Sequence, residues 1–482
     1  MDRISVMPKF ILHDILGRLP DKDAARTSVL SKSWRETWYT FPILSACDKN
    51  FINLHELPLY PEGALLLSKL DTFIEYVSKR LRRLHNQGLA VKKLKLNTQY
   101  ISNKMLVSRF HHVDEWIQMA SESGIEVLEL NLAISLDKLY NLPLCLTEAK
   151  SLTKLVLTGG IRLDPAFLNH SLKFFSVRTL LFHSILFGDE RVMEHFISHC
   201  PLVEHLSLTH CLLYKPLSVG DPPGSRANYV KSLSLHGLQK LKRVEVQGIE
   251  DVYIDAPNLE NLCYLAGIVD ASFKLNLGSY KNLRWLSLFC VRVEMWLLEQ
   301  LPKIPFLENL MLKHCSLCER INISGSQLKF LELTNCSNLK EINIDAPNLL
   351  SCEYSGKDEP VISFRGISNQ LDVSAHIHLN HQDVDRLRQF IQNIEPQEIL
   401  TSLSVFIIQP YPYFYEMLMG SKKGECYCYS RGPECWWHAL KVVKITHLER
   451  IYENVEDLKA MLNALPLSRN YDEEFITFTL EL

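Results

Sequence analysis

Residues 152–157 read Leu-Thr-Lys-Leu-Val-Leu, and the same L-x-x-L-x-L spacing keeps returning along the chain. Copies stand at Val91/Leu94/Leu96, Val177/Leu180/Phe182, Val203/Leu206/Leu208, Val230/Leu233/Leu235, Leu283/Leu286/Leu288, Leu307/Leu310/Leu312 and Leu328/Leu331/Leu333. Glu126–Leu130 is a looser copy. Starting from Leu128, the middle leucines lie 27, 25, 26 and 27 residues apart, at Leu155, Leu180, Leu206 and Leu233. They later tighten to 24 (Leu286 to Leu310) and 21 (Leu310 to Leu331). Apolar residues alternating over a short segment mark a strand with one buried face. Recurrence at a fixed period marks a stack of coils, because one such unit cannot bury its apolar face alone.

Periods of this length belong to a leucine-rich-repeat solenoid, expected over 91–370. The framework leucines then enter the core and the residues between them line the exposed strand surface. Cys211, Cys315 and Cys336 each follow the last leucine of a repeat by three residues, a site that takes an inward Asn or Cys. A small buried thiol accounts for all three without metal or redox chemistry. The hexapeptide Ile-Asp-Ala-Pro-Asn-Leu occurs at Ile254–Leu259 and again 90 residues later at Ile344–Leu349. Pro and Asn favour a turn there, so the spacing predicts a corner between two strands. Asp255 and Asp345 are turn residues on this reading, since copies coils apart do not set two carboxylates around one bond.

Before the repeats, Met1–Pro42 packs apolar periodicity into a piece too short to bury it. Ile11/Ile15 and Leu12/Leu16/Leu19 form one helical stripe, with Ser5 as a candidate cap and Pro8 in the first turn. Leu19-Pro20 stops that helix. Asp21 and Asp23 favour a second, and a third from about Ser31 carries Trp34 and Trp38. Some forty residues seldom fold alone, so the apolar surplus points to a docking module. The pattern DRIS-x-x-P-x-x-IL-x-x-IL-x-x-LP-x-KDA-x-RTSVLSK-x-W closely resembles the F-box of plant F-box proteins, over Asp2 to about Pro42. It departs at Met7, Lys9, Gly17 and Glu36-Thr37; Gly17 costs up to ~1 kcal/mol of helix propensity. The resemblance implies docking on a Skp-type adaptor and, through it, a cullin. Candidate docking residues are Pro8, Ile11, Leu12, Ile15, Leu16, Leu19, Pro20, Val29, Leu30 and Trp34, some of which must instead hold the helices together. A helical cap on the next domain is the structural alternative.

The expected class is α/β: a three-helix F-box over 1–45, a helical connector over 46–90, the solenoid, and a small α+β region over 371–482. Ser68–Gly88 predicts an amphipathic helix with Leu70, Phe73, Val77, Leu81 and Leu84 on one side. Its basic residues Lys79, Arg80, Arg82 and Arg83, with Lys92, Lys93 and Lys95 beyond, read as a solvated face, because no aromatic interleaving accompanies them. After Leu371 the repeat fades. Helices are expected at Leu379–Ile394 and Val455–Leu465, strands at Leu403–Ile408, Leu440–Ile445 and Phe475–Leu482, and a loop at Tyr411–Gly424. From Pro433 onward this ending resembles the FBD-type domain of many plant F-box proteins, on Cys435, Leu440, Val443, Ile445 and Leu458–Leu462; Thr446–Asn454 departs from it. Cys426, Cys428, Cys435 and His438 offer four soft ligands within thirteen residues, but the C-x-C spacing is unusual for zinc and structural cysteines are preferred.

The 482 residues are 47% hydrophobic and 22% charged, ordinary for a folded chain, and the formal net charge of −3 gives no global reason to expect nucleic acid or anionic membranes. Neither a signal peptide nor a run of about 18 apolar residues is evident. Thirteen cysteines then suggest a reducing cytoplasmic or nuclear setting. No phosphate-binding loop, nucleophile elbow or H-E-x-x-H pattern is present, and no cofactor is expected. The F-box resemblance implies a non-catalytic, substrate-recruiting subunit of a cullin-type ubiquitin ligase, and the absence of these motifs agrees with it. Its target surface would include Trp285, Phe289, Met311, Lys313, Phe330 and Glu332, where aromatics and Met meet rim charges. A repeat scaffold without a part in ubiquitin transfer is the alternative.

Overall fold

Pro8 sets the start of helix α1 (Lys9–Arg18), and the chain leaves it extended at Leu19. Pro20 stands at the head of α2 (Asp21–Arg26), and a single 3-10 turn (Thr27–Val29) follows. Ser31 caps α3 (Lys32–Thr40): its hydroxyl oxygen accepts the Trp34 N–H at 3.2 Å, satisfying a donor the helix cannot. The computed structural model describes residues 7–51, 63–98, 109–133, 139–214, 227–267, 271–272, 280–366, 371–380, 393–395, 400–408, 442–447, 450–452 and 475–481. They form two compact units, Met1–Ala256 and Pro257–Leu482.

In the first unit a parallel sheet runs Ile43–Cys47, Lys93–Thr98, Val127–Leu132, Lys154–Gly159, Thr179–His183, His205–Thr209 and Arg243–Gln247. Its middle leucines Leu94, Leu128, Leu155, Leu180 and Leu206 are fully buried. Two expectations shift. The sheet starts at Ile43, not Val91, because Phe41-x-x-Leu44-x-Ala46 supplies the same alternation. Of the expected connector over 46–90, the described residues 46–51 and 63–90 belong to this first coil. Its helix α4 (Gly63–Asn86) buries the predicted stripe Leu70, Phe73, Val77, Leu81 and Leu84, and it packs against α5 (Phe110–Glu122). The copy at Val230/Leu233/Leu235 is also misplaced. Ser232–Leu235 pairs with Asp251–Ile254 in a separate small sheet, and Arg243–Gln247 takes the main-sheet position through Leu241-x-x-Val244-x-Val246. Two strands of one coil carry the same alternation, so spacing alone does not tell them apart.

The second unit repeats the scheme over Asn261–Leu265, Trp285–Phe289, Asn309–Lys313, Phe330–Thr334, Ser351–Gly356, Asp372–Asn380 and Leu400–Ile408, all parallel. Here the period shortens for a visible reason. Coils 25 to 27 residues long in the first unit cross the back with a 3-10 or α-helix such as Pro165–Asn169 or Glu190–Ser198. The 21-residue coils cross it with strands Arg320–Ser324, Glu341–Asp345 and Val361–Arg365, which pair in a second parallel sheet. A strand advances about 3.3 Å per residue against 1.5 Å for a helix, so it spans the back with fewer residues. The Ile344–Leu349 corner joins one sheet to the other, with Ala346 and Leu349 buried at the bend.

Solenoid strands thus continue past residue 371, to Ile408. Leu379 and Asn380 end a strand, and Ile394–Glu395 is a short strand beside Val361–Arg365, so neither end of the predicted 379–394 helix is helical. Phe475–Glu481 then pairs antiparallel with Leu400–Ile408 on one side and Val442–His447 on the other, and Arg450–Tyr452 folds back on the latter. The predicted helix at Val455–Leu465, the loop at Tyr411–Gly424 and the Cys426/Cys428/Cys435/His438 group lie outside the described residues.

A turn recurs at the end of the main-sheet strands. Ser184, His210, Cys290, His314 and Asn335 each follow a strand directly and have a φ between 49° and 57°. This left-handed residue turns the next side chain inward. Cys211, Cys315 and Cys336 occupy that inner site, their thiols donating to the carbonyls of Phe182 (3.6 Å), Leu288 (3.3 Å) and Leu312 (3.2 Å) in the preceding coil. Gly159 solves the same exit differently: at φ 93°, an added Cβ would sit 1.7 Å from the Leu132 carbonyl oxygen.

Candidate docking and target surfaces

The three N-terminal helices enclose a small core of Leu12, Leu16, Ala24, Trp34, Trp38 and Phe41, with Ile15, Leu19, Ala25 and Ile43 packed around it. The ten candidate docking residues therefore divide. Leu12, Leu16 and Trp34 face inward and hold the helices together. Ile11, Ile15 and Leu19 are half-buried, while Pro8 and Pro20 are exposed. Val29 and Leu30 project into solvent, 84% and 67% exposed. Phe10 (73% exposed) and Met7 join this surface, although neither is among the ten candidates. Phe10 was visible as an apolar residue off the stripe Ile11/Ile15, which is the signal that marks an outward side chain.

His13 ties α1 to the end of α3, its Nε2 3.2 Å from Thr40 Oγ1 and 3.3 Å from the Thr37 carbonyl oxygen. Burial holds its pKa below the usual value, against the Thr37 hydrogen bond that raises it. Arg80 of α4 binds the same helix end. Its guanidinium donates to the carbonyls of Trp38 (2.5 Å) and Phe41 (3.4 Å) and lies 4.2 Å from the Trp38 ring centre. Those carbonyls carry the negative end of the helix dipole, so the cation is well placed. Arg80 is buried, and desolvation pulls its pKa down to about 10. This corrects the solvated-face reading for that residue. Arg82 fits it better, pairing with Glu115 at 3.2 Å in the open, and Arg83 lies 3.8 Å over the Tyr39 ring.

The six candidate target residues do come together. Strand register sets Trp285, Asn309 and Phe330 in one row, Ser287, Met311 and Glu332 in the next, and Phe289, Lys313 and Thr334 in a third. Trp285 and Phe330 are exposed. Trp285 Nε1 donates to Ser287 Oγ at 2.7 Å, Lys313 pairs with Glu332 at 2.5 Å, and the Lys313 ammonium stands 5.9 Å from the Phe289 ring.

A family model described as At1g61320/AtMIF1, LRR domain, matches residues 83–277 and 270–406. The chain belongs to this leucine-rich-repeat family. A second model, the F-box domain, matches residues 4–45, the helical module just described. The repeat family's match ends at residue 406, in the last parallel strand, in agreement with a solenoid that runs past 371. Similar Arabidopsis thaliana proteins carry matching names. F-box/LRR-repeat protein At2g42720 is 31% identical over 43% of this chain and 43% of its own length. F-box/FBD/LRR-repeat protein At1g13570 is 32% identical over 43% of this chain and 44% of its own. F-box/LRR-repeat protein At3g58900 is 29% identical over 59% and 78%. The chain thus spans about half the length of several curated relatives it matches. Among solved structures, the leucine-rich repeat domain of APL1B is similar at TM-score 0.36 and 13% identity, over 70% of this chain and 92% of that one. Among the described residues no helix is long and apolar enough to cross a membrane.

Proposed function

We propose that this protein is a substrate-recognition subunit of a cullin-type (SCF) ubiquitin ligase. The F-box helices dock on a Skp-type adaptor, and the repeats hold a target protein in the cytoplasm or nucleus. The observation that carries this reading is the surplus apolar surface of a module already packed inside: Phe10, Val29 and Leu30 remain exposed beside a closed core. Exposed apolar side chains on so small a module mark a protein interface. The chain performs no chemistry of its own on this reading. It raises the effective concentration of target lysines near a ubiquitin carrier bound elsewhere in the assembly. The Trp285–Glu332 patch is the proposed target surface, and the ending from Pro433 is proposed as FBD-like.

Co-expression of the full chain with a Skp-type adaptor tests the reading. Intact protein should co-purify with the adaptor, and a Val29→Asp/Leu30→Asp variant that remains folded should not. Failure of the intact protein to retain any adaptor would refute the proposal.

A further inference from the structure

The strand face of the first unit differs in charge from the molecule that bears it. Lys93, Lys95, Lys154 and Arg243 project from it against two carboxylates, Glu129 and Glu245, in a chain of formal net charge −3. Glu129 alone meets three of the cations: Lys154 at 2.9 Å, Lys95 at 3.4 Å and Lys93 at 3.7 Å. One carboxylate leaves two of those three charges uncompensated. Glu245 accepts from Ser207 Oγ at 3.0 Å.

Register then orders the charges. Lys93, Val127, Lys154, Thr179, His205 and Arg243 occupy one continuous row across six adjacent strands, and that row contains no acid. Strands lie about 4.8 Å apart, so the backbones at Lys93 and Lys154 stand about 9.6 Å apart and that at Arg243 about 14 Å farther on. An extended peptide crossing the strands advances about 3.3 Å per residue and turns every second side chain to the face, so only even spacings count: i+2, about 6.6 Å on, suits the two lysine ammonium groups drawn together on Glu129, and four residues more, about 13 Å, reach Arg243.

We propose that this face binds an extended acidic segment of a target protein, laid across the strands, with anionic groups at positions i, i+2 and i+6. The inference rests on the reading that the solenoid holds a target, and it assigns the acidic part of that target to the first unit. Carboxylate and phosphate share the chemistry required: each gives a lysine or arginine a charge-assisted acceptor.

The test uses the full chain and labelled peptides of about ten residues in a Gly/Ser background, followed by fluorescence anisotropy at about 50 and 200 mM salt. One probe carries Glu at the i, i+2 and i+6 spacing, one carries phosphoserine at the same positions, and one carries three contiguous Glu. A ten-nucleotide single-stranded RNA of mixed sequence is the fourth. The spaced peptides should bind about tenfold more tightly than the contiguous one, and the phosphoserine-to-Glu ratio identifies which anion is preferred. Lys93→Gln/Lys154→Gln should weaken them about tenfold, whereas Glu129→Gln, which frees three lysines, should tighten them severalfold. No peptide binding, indifference to spacing, or indifference to these substitutions overturns the proposal. RNA binding stronger than peptide binding and lost in the same variant also overturns it, in favour of a nucleic-acid face. Adaptor co-purification is read in parallel on the same variants. Its retention alongside failed peptide binding sinks this inference alone, and its loss in intact protein sinks the ligase reading alone.

Discussion

Val29 and Leu30 hold their side chains in water while Leu12 and Leu16, of similar chemistry, lie inside the same module. Substitutions should separate the two groups. Leu12→Ala empties part of a small core and should cost about 2–5 kcal/mol, read as a lower urea midpoint. Val29→Asp/Leu30→Asp should leave that midpoint nearly unchanged and abolish adaptor capture. Leu19 stands between, packed on the core yet part-exposed, so Leu19→Ala should reduce capture by roughly tenfold and stability as well. Gly159 has no such latitude. A methyl there meets the Leu132 carbonyl at a backbone already in the left-handed region, so Gly159→Ala should open the sheet. Loss of amide-exchange protection along Val127–Leu132 would report it.

At the scale of the element, α4 is more than an amphipathic cover. Through Arg80 it grips the carboxyl end of α3, so the F-box helices are held by the first coil of the repeats. Arg80→Lys keeps the charge but loses the planar fork that reaches two carbonyls and stacks on Trp38. It should lower stability by about 2–3 kcal/mol and speed proteolytic cleavage within residues 1–42, both measurable on the full chain. The amphipathic stripe of α4, the helices of the F-box and most repeat strands were legible in sequence because burial follows period. Arg80 was not, since a cation on a basic helix face reads as solvated until its partners, about forty residues upstream, are in place. Strand Ser232–Leu235 misled for the converse reason: its alternation is real but serves the smaller sheet. The split of the candidate docking residues was half legible, because sequence shows which side chains are apolar but not which side of a three-helix packing each takes. That the six candidate target residues come together needed only correct strand register, which Leu286, Leu310 and Leu331 supply.

Across the whole molecule, burial leaves a signature in titration. His13, His112, His183 and His205 all have pKa values lowered first by desolvation. The unfolded chain therefore takes up protons at higher pH than the folded one, and stability falls as pH drops below about 6.5. Glu129 behaves as a carboxylate: burial raises its pKa, but the Lys154 hydrogen bond and the surrounding lysines bring it below the usual value, so its loss comes only below about pH 4.5. A urea midpoint lower at pH 5.5 than at about pH 7.5, with a smaller drop in His13→Gln, would match the first window. Thiol chemistry gives a second global readout, because burial pushes Cys200, Cys211 and Cys352 up to about 12. These three should resist iodoacetamide in the native protein and react once it is denatured. The order of strands at the far end of the second unit bears on synthesis as well as stability. Leu400–Ile408 and Val442–His447 do not pair with each other; Phe475–Glu481 lies between them. A ribosome making this chain releases both outer strands before the one that joins them, and for those tens of residues the solenoid ends in an open edge. An open edge invites pairing with another nascent chain, so the yield of soluble protein should depend on how quickly translation reaches the last strand.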